Sequence, residues 1–202
     1  MAYLLSLLVL VMLSSSAGAQ SAGRPSYSVG DEWTLSSGTV RRVVKVDGDT
    51  IVLSTTGMNA TCQCLYYFDK NLNIVSIEQV DGKPMDVMVT RSLRVGSDWK
   101  YWDFPLQVGK KWSFSARAFS GGLPIVYDHA ISVEAFEDVV TKAGTFKAFR
   151  TQREVSIRPF NGSSRTERWL ETLWFSPDVK ATVKFTSTVP GKDWELAAYD
   201  LK

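Results

Sequence analysis

The chain has 202 residues, a formal net charge of +2 and 45% hydrophobic residues. A chain of this length is sufficient for one domain with a sizeable core. A charge so close to neutral argues against nucleic acid as a partner, because nucleic-acid-binding domains concentrate positive charge. The densest basic pairs, Arg41-Arg42 and Lys110-Lys111, are interpreted as solvated strand faces and turns.

The first residues predict export. Tyr3 to Leu13 is an almost unbroken apolar run, and small residues and Ala17-Gly18-Ala19 follow it, although no basic residue precedes the run. This is the apolar region and cleavage pattern of a signal peptide. A membrane-spanning helix needs about 20 apolar residues, so the run is too short for one. We expect a signal peptide over 1–19, cleavage near Ala19, a mature chain without a transmembrane segment, and a linker over 20–26.

The rest of the chain predicts an antiparallel all-β domain. Short segments rich in β-branched and aromatic residues are separated by turn residues at regular intervals. The segment "VRRVVKVDGDTIVLS" is the clearest hairpin, because Asp47-Gly48 suits a tight turn that needs positive φ. In "KWSFSARAF" the larger apolar residues alternate with polar ones, which indicates one buried face and one wetter face.

Two pairs of segments indicate an internal repeat. "YSVGDEWTL" (27–35) matches "LQVGKKWSF" (106–114), and "CQCLYYFDKNLNIVSIEQVDG" (62–82) matches "WLETLWFSPDVKATVKFTSTVPG" (169–191). The sequence therefore predicts two related β-meanders, about 27–104 and 105–202, within a single domain over 27–202. One meander alone would leave an apolar face uncovered, so we expect both to join as one curved sheet or open half-barrel.

The second half carries three further motifs: "FPLQVGKKW" (104–112), "KAGTFKAF" (142–149) and "ETLWFSPDV" (171–179). Over about 104–188 these motifs resemble a group of bacterial exported domains of unknown function. The resemblance implies a bacterial periplasmic or secreted β-fold and no catalytic residues. That group often has glycine where Lys180-Ala181 stands here. We expect Trp112 and Trp174 to anchor the core.

Catalytic motifs are not found in the sequence. A Ser-His-Asp triad or a catalytic zinc site would have to use His129, the single histidine. Asp128 cannot easily orient it, because adjacent strand side chains point to opposite faces. No motif picks out a carboxylate pair for glycoside hydrolysis, and there is no nucleophile elbow, phosphate loop or dinucleotide fingerprint. The sequence predicts a protein that is not an enzyme, with no catalytic residues, no metal site and no cofactor.

The segment "SDWKYWDFP" places four aromatic residues near the junction of the two halves: Trp99, Tyr101, Trp102 and Phe104. They are candidates for a ligand site, because binding pockets are mostly apolar with a few polar groups. The alternative is that they cover one end of the sheet as part of the core.

Cys62 and Cys64 are the only cysteines. In a strand their Cα atoms are about 6.5–7 Å apart, at the limit of disulfide reach. The two cysteines can therefore be free thiols, a disulfide or, less readily, metal ligands. An oxidising compartment favours the disulfide. Strand alternation places both cysteines on one face with Tyr66 and Phe68.

Three functions follow as expectations. The first is an exported domain that binds an apolar or amphipathic small molecule on its concave face. The second is an envelope module that binds another protein or has a structural role. A hydrolase is the least favoured.

Overall fold

The computed structural model describes residues 20–57, 63–79, 100–120, 123–159 and 167–202. These residues form strands and no helix. The strands are β1 (Ser21–Ala22), β2 (Glu32–Leu35), β3 (Val40–Asp47), β4 (Thr50–Thr56), β5 (Cys64–Phe68), β6 (Ile74–Gln79), β7 (Leu106–Gln107), β8 (Lys111–Ser120), β9 (Leu123–Thr141), β10 (Gly144–Pro159), β11 (Glu167–Ser176), β12 (Ala181–Ser187) and β13 (Trp194–Asp200).

Eleven of the described strands form one antiparallel sheet in the order β6-β5-β4-β3-β2-β13-β12-β11-β10-β9-β8. Strands β2 to β6 form one meander and β8 to β13 form another. The pairing of β13 with β2, from Leu196 against Leu35 to Asp200 against Glu32, joins the two meanders. The sheet is curved and does not close into a barrel, which confirms the predicted fold class.

The β3–β4 hairpin forms where the sequence predicts it. Asp47 pairs with Thr50, and Gly48 between them has a φ of +57°. Glycine adopts this left-handed conformation without the steric cost that a Cβ atom would add. The register of the hairpin shifts between Val43 and Lys45, and this bulge changes which β3 side chains face inward.

The segment 20–26 differs from the expected linker. Ser21 and Ala22 form β1, which pairs with Leu106 and Gln107 of β7 in a separate two-stranded sheet. Ala22 is 7% exposed and Leu106 is fully buried. Burial of these apolar side chains holds the segment against β7. The polar composition of 20–26 does not indicate this packing.

The two Val-Gly turns of the predicted repeat have the same backbone hydrogen bonds. The amide of Gly30 donates to the carbonyl of Val43 at 2.9 Å, and the amide of Gly109 donates to the carbonyl of Val133 at 2.8 Å. Both glycines have positive φ, +99° and +88°. Both valine acceptors are buried in the sheet. Each turn therefore starts its meander with the same geometry.

The buried apolar residues form two clusters. The larger lies around the junction of the meanders and contains Trp33, Leu35, Val43, Ile51, Leu72, Val139, Phe146, Ala148, Val179, Val183 and Leu196. The smaller contains Ala22, Leu106, Val133, Phe149 and Phe175.

The expected core anchors Trp112 and Trp174 are half-buried, and they pack against the smaller and the larger core cluster respectively. The indole N–H of Trp174 donates to Glu137 Oε1 at 2.9 Å, so this ring lies beside a charged group. Its neighbour Phe175, at 2% exposed, is fully buried and belongs to the smaller cluster.

A buried aspartate connects three parts of the chain. The Asp31 side chain is 0% exposed and accepts hydrogen bonds from the Ser28 amide at 2.9 Å, the Lys202 amide at 2.8 Å and Lys180 Nζ at 2.9 Å. Lys180 takes a φ of +58°, in the left-handed region that favours glycine. Its carbonyl accepts from the Tyr27 hydroxyl at 2.8 Å. These contacts hold a lysine in a conformation that glycine would adopt at lower cost.

Candidate functional site

The inner face of the sheet is defined here as the face that carries Trp33, Leu53, Phe68 and Phe175. These residues come from both meanders and line one cavity, so the sheet curves around them. The cavity has a volume of about 130 Å³. Its walls are Tyr27, Trp33, Leu35, Arg41, Leu53, Phe68, Leu72, Trp102, Phe175, Lys180, Ala181 and Thr182.

Trp102 and Phe104, two of the predicted site residues, pack on the inner face. The ring centroids of Trp102 and Phe175 are 5.1 Å apart, and those of Phe104 and Phe175 are 5.6 Å apart. Both side chains are half-buried, and Trp102 forms part of the cavity wall. The segment between the meanders therefore covers part of the sheet and also borders the remaining space.

Lys110 holds this segment in place. Its ammonium donates to the Asp103 carbonyl oxygen and, at 3.0 Å, to the Pro105 carbonyl oxygen, and it lies 3.0 Å from Asp103 Oδ2. Burial alone would raise the pKa of Asp103, but hydrogen bonds from Lys100 and Lys110 outweigh it and lower the pKa. Asp103 therefore forms ion pairs that hold the segment in place, and its carboxylate is not directed at a ligand.

Tyr101 lies apart from Trp102 and Phe104. Its ring is 5.8 Å from Phe114 and 5.9 Å from His129, centroid to centroid, and the Arg153 guanidinium carbon lies 4.9 Å from its ring centroid. Burial raises the pKa of the Tyr101 hydroxyl to about 12. The fourth predicted residue, Trp99, lies outside the described residues. The structure therefore does not gather the described three into one site.

His129 lies in an aromatic environment. It is 5% exposed, and its ring stacks on Phe114 with 4.3 Å between centroids and 15° between planes. Burial, and then the positive charge of Arg153, lower the pKa of His129 to about 4. The imidazole is therefore neutral near pH 7.

Glu171 is ion-paired beside this cluster. It accepts from Arg153 Nε at 2.6 Å and from the Trp169 indole N–H at 2.9 Å. The side chains of Arg153 and Glu171 are 15% and 13% exposed. Because its lone pairs are used in these contacts, this carboxylate is committed to the ion pair.

Arg41 and Lys180 are the charged groups in the cavity wall, and the expectation that Arg41 lies on a solvated strand face is wrong, because its side chain is half-buried there. Arg41 pairs in register with Trp33 on one side and Thr55 on the other, and both are buried. Its guanidinium carbon lies 5.2 Å from the centroid of the Trp194 ring. Burial lowers the pKa of Arg41, and the Tyr66 hydroxyl acts in the opposite direction. Its neighbour Arg42 is the solvated member of the pair, with a side chain 56% exposed.

A second depression of about 470 Å³ lies over β8 to β11. Its lining includes the exposed residues Lys111, Ser113, Ala130, Glu154 and Leu170. Trp112 and Ile131 also line it, so the depression presents both apolar and polar side chains.

Cys64 is disulfide-bonded and 0% exposed. The only other cysteine of the chain, Cys62, lies outside the described residues. Tyr66 and Phe68 stack on each other at 6.4 Å, as expected for residues on the same face of β5. Cys64 thus has a covalent structural role in the strand.

Among the described residues, no cluster of three or more His, Cys, Asp or Glu side chains is placed to hold a metal ion. No helix in the same part of the chain has the length and apolar character needed to cross a membrane.

No protein-family model and no curated protein matches the sequence. Among solved structures the chain is similar to "a putative lipoprotein" from Parabacteroides distasonis (TM-score 0.48, 12% identity, 90% of this chain and 100% of that chain covered). It is also similar to "a putative exported protein with YmcC-like fold" from Bacteroides fragilis (TM-score 0.42, 12% identity, 89% and 99% covered). A third is the "hypothetical lipoprotein YmcC" from Escherichia coli (TM-score 0.44, 8% identity, 88% of each chain covered).

Proposed function

We propose that this chain is an exported, non-enzymatic β-domain that binds an apolar or amphipathic molecule on the inner face of its sheet. The observation that carries the proposal is the cavity bounded by both meanders and by Trp102. Its walls are mainly aliphatic and aromatic side chains with a few polar groups, which is the usual composition of a small-molecule site.

The size of the cavity limits what it can hold. Its volume of about 130 Å³ is close to that of an engineered apolar cavity of ~150 Å³ that binds benzene. The site therefore accommodates roughly six carbon atoms of a ligand. A longer chain would continue along the inner face.

The proposed location is the bacterial periplasm or the extracellular space. The support is the apolar run Tyr3 to Leu13, followed by Ala17-Gly18-Ala19. The disulfide at Cys64 fits an oxidising compartment, where such bonds persist.

The non-enzymatic part of the proposal is supported by the state of the inner-face titratable groups. His129 is stacked among aromatic rings, and Glu171 is held by Arg153 and Trp169. General acid–base catalysis needs a group that can reach a substrate proton. Both of these side chains are instead committed to internal contacts.

Ligand binding can be tested with a short apolar probe. We expect 1-octanol to change the tryptophan fluorescence of the purified mature protein in a saturable way, because Trp33 and Trp102 line the cavity. Native mass spectrometry of protein isolated from a bacterial periplasm should show a co-purifying small molecule.

A pair of variants locates the binding. Ala181→Leu adds three carbon atoms to the cavity wall and should weaken octanol binding at least several-fold. Ala130→Leu places the same side chain at an exposed position over the second depression, away from the cavity, and should leave binding unchanged. Unsaturable octanol binding, or equal effects of both variants, would contradict the proposal.

The edge of the sheet supports a second candidate function. β8 is a ten-residue strand that pairs with β9, and no strand of the described residues pairs with its other edge, which is where a partner could add a strand. A photo-crosslinker at Ser113 on β8 should then capture an envelope protein. The same crosslinker at Glu154, on the interior strand β10, should not.

A further inference from the structure

The inner-face cavity contains one cation without a carboxylate partner among the described residues. Its wall includes Arg41 and Lys180. Lys180 Nζ lies 2.9 Å from Asp31 Oδ2, so that charge is neutralised within the protein. The Arg41 guanidinium lies over the Trp194 ring, and the Tyr66 hydroxyl is its electrostatic neighbour. Neither side chain carries a negative charge at neutral pH.

Arg41 faces the cavity because of its place in the sheet. It lies in register between Trp33 and Thr55, whereas Arg42 lies between Glu32 and Ser54 on the opposite face. Arg42 is ion-paired with Glu32 at 3.8 Å on the surface. An unpaired charge in an apolar environment is energetically costly, so its retention next to a cavity needs a reason.

A bound anion would supply that reason. The planar guanidinium matches a carboxylate in two parallel hydrogen bonds, and such pairs are stronger away from water. Because the described residues leave one positive charge of the cavity wall without a carboxylate partner, a monoanion balances it. A phosphate monoester carries a charge of about −1.5 to −2 and would overcompensate.

We propose that the ligand is a single-chain amphiphile with a carboxylate head, which binds Arg41 while its first carbon atoms fill the cavity beside Leu35, Leu53 and Phe68. This inference rests on the proposed ligand-binding function. It names the chemical class of the ligand and the residue that recognises its head group.

The test compares three probes that share an eight-carbon chain and differ in the charge of the head: octanoate, 1-octanol and octyltrimethylammonium. Isothermal titration calorimetry of the mature protein at low ionic strength measures each affinity. We expect octanoate to bind at least about tenfold more tightly than octanol, and octyltrimethylammonium to bind most weakly. Added salt should weaken octanoate binding and leave octanol binding nearly unchanged.

Variants assign the effect to one side chain. Arg41→Gln should weaken octanoate binding at least about tenfold, and it should weaken octanol binding by a much smaller factor. Arg42→Gln is the matched control, because this adjacent arginine lies on the other face, and it should change neither affinity. Arg41→Lys keeps the positive charge but lacks the planar guanidinium with its two parallel donors, so it should give an intermediate octanoate affinity.

The outcomes separate the two proposals. If octanol and octanoate bind equally and salt has no effect on either, the head-group assignment is overturned and the apolar site remains. If no probe binds, the proposed function fails and the assignment fails with it. The salt comparison uses unmodified protein, so it decides the question even if Arg41→Gln does not fold.

Discussion

Replacement of Asp31 by asparagine tests how strongly one buried carboxylate holds the fold together. Asp31 accepts from Ser28, Lys202 and Lys180. An asparagine of the same shape replaces one acceptor oxygen by an NH₂ group, so at least one of these donors faces another donor. Lys180 also loses its counter-charge.

The expected loss of stability follows from these contacts. Removal of one partner from a buried ion pair costs about 3–5 kcal/mol. The Lys180 side chain is 21% exposed and can regain water, so we expect the lower end, about 3 kcal/mol. Urea denaturation followed by tryptophan fluorescence measures this change, since buried Trp33 reports unfolding. Asp138→Asn removes an exposed pair with Lys147 and should cost no more than about 0.5 kcal/mol.

The effect of Asp31→Asn should depend on pH in a defined direction. Burial alone would raise the pKa of Asp31, but hydrogen bonds from Lys180, Ser28 and Lys202 outweigh it and lower the pKa below the ordinary 3.8. The stabilisation is therefore fully present above about pH 4 and is lost as the pH falls towards the lower folded-state pKa. The stability difference between wild type and variant should shrink over that range. A difference that stays constant down to pH 2, or a cost below about 1 kcal/mol, would refute this account.

Three further predictions use other buried groups. The NMR titration of His129, the single histidine, should have its midpoint near 4 rather than 6.5, and stability should decline as the pH falls from about 6.5 to 4; a midpoint near 6.5 would show that the ring is not buried. Leu196→Ala, at a fully buried position next to the junction of the meanders, should cost about 2–5 kcal/mol in urea denaturation, and a cost below 1 kcal/mol would place Leu196 outside the core. Titration of unfolded protein should find no free thiol before reduction and two afterwards, whereas two thiols without reductant would contradict a disulfide at Cys64.

Much of the fold could be predicted because local chemistry determines it. Turns with glycine at positive φ, such as those at Gly30, Gly48 and Gly109, are encoded by short motifs. Strand alternation predicted which residues share a face, as for Tyr66 and Phe68. Docking of Ala22 against Leu106 could not be predicted, because a two-residue strand has too short a pattern to distinguish from a linker.

The candidate site was predicted less well, because it depends on register. In a pair such as Arg41-Arg42 one side chain must face inward, but the sequence does not indicate which one. The answer depends on the pairing of β3 with β2 and β4 and on the bulge after Val43. The aromatic segment was easier to find, but whether Trp102 covers the sheet or borders a cavity is a property of the packed structure, and it does both.

The two Val-Gly turns show how one backbone geometry can serve two different attachments. In both turns the residue after glycine is charged, with Asp31 in the first and Lys110 in the second. Asp31 binds two backbone amides and Lys180, so it fixes the C-terminus and the turn after β11. Lys110 binds backbone carbonyls and Asp103, so it fixes the segment that carries Trp102. An anion accepts hydrogen bonds from amides, and a cation donates them to carbonyls. The charge of the residue after glycine, negative in Asp31 and positive in Lys110, therefore determines which part of the chain each turn holds. Because the held parts include Lys180 and the segment of Trp102, these contacts also determine where the inner-face cavity is bounded.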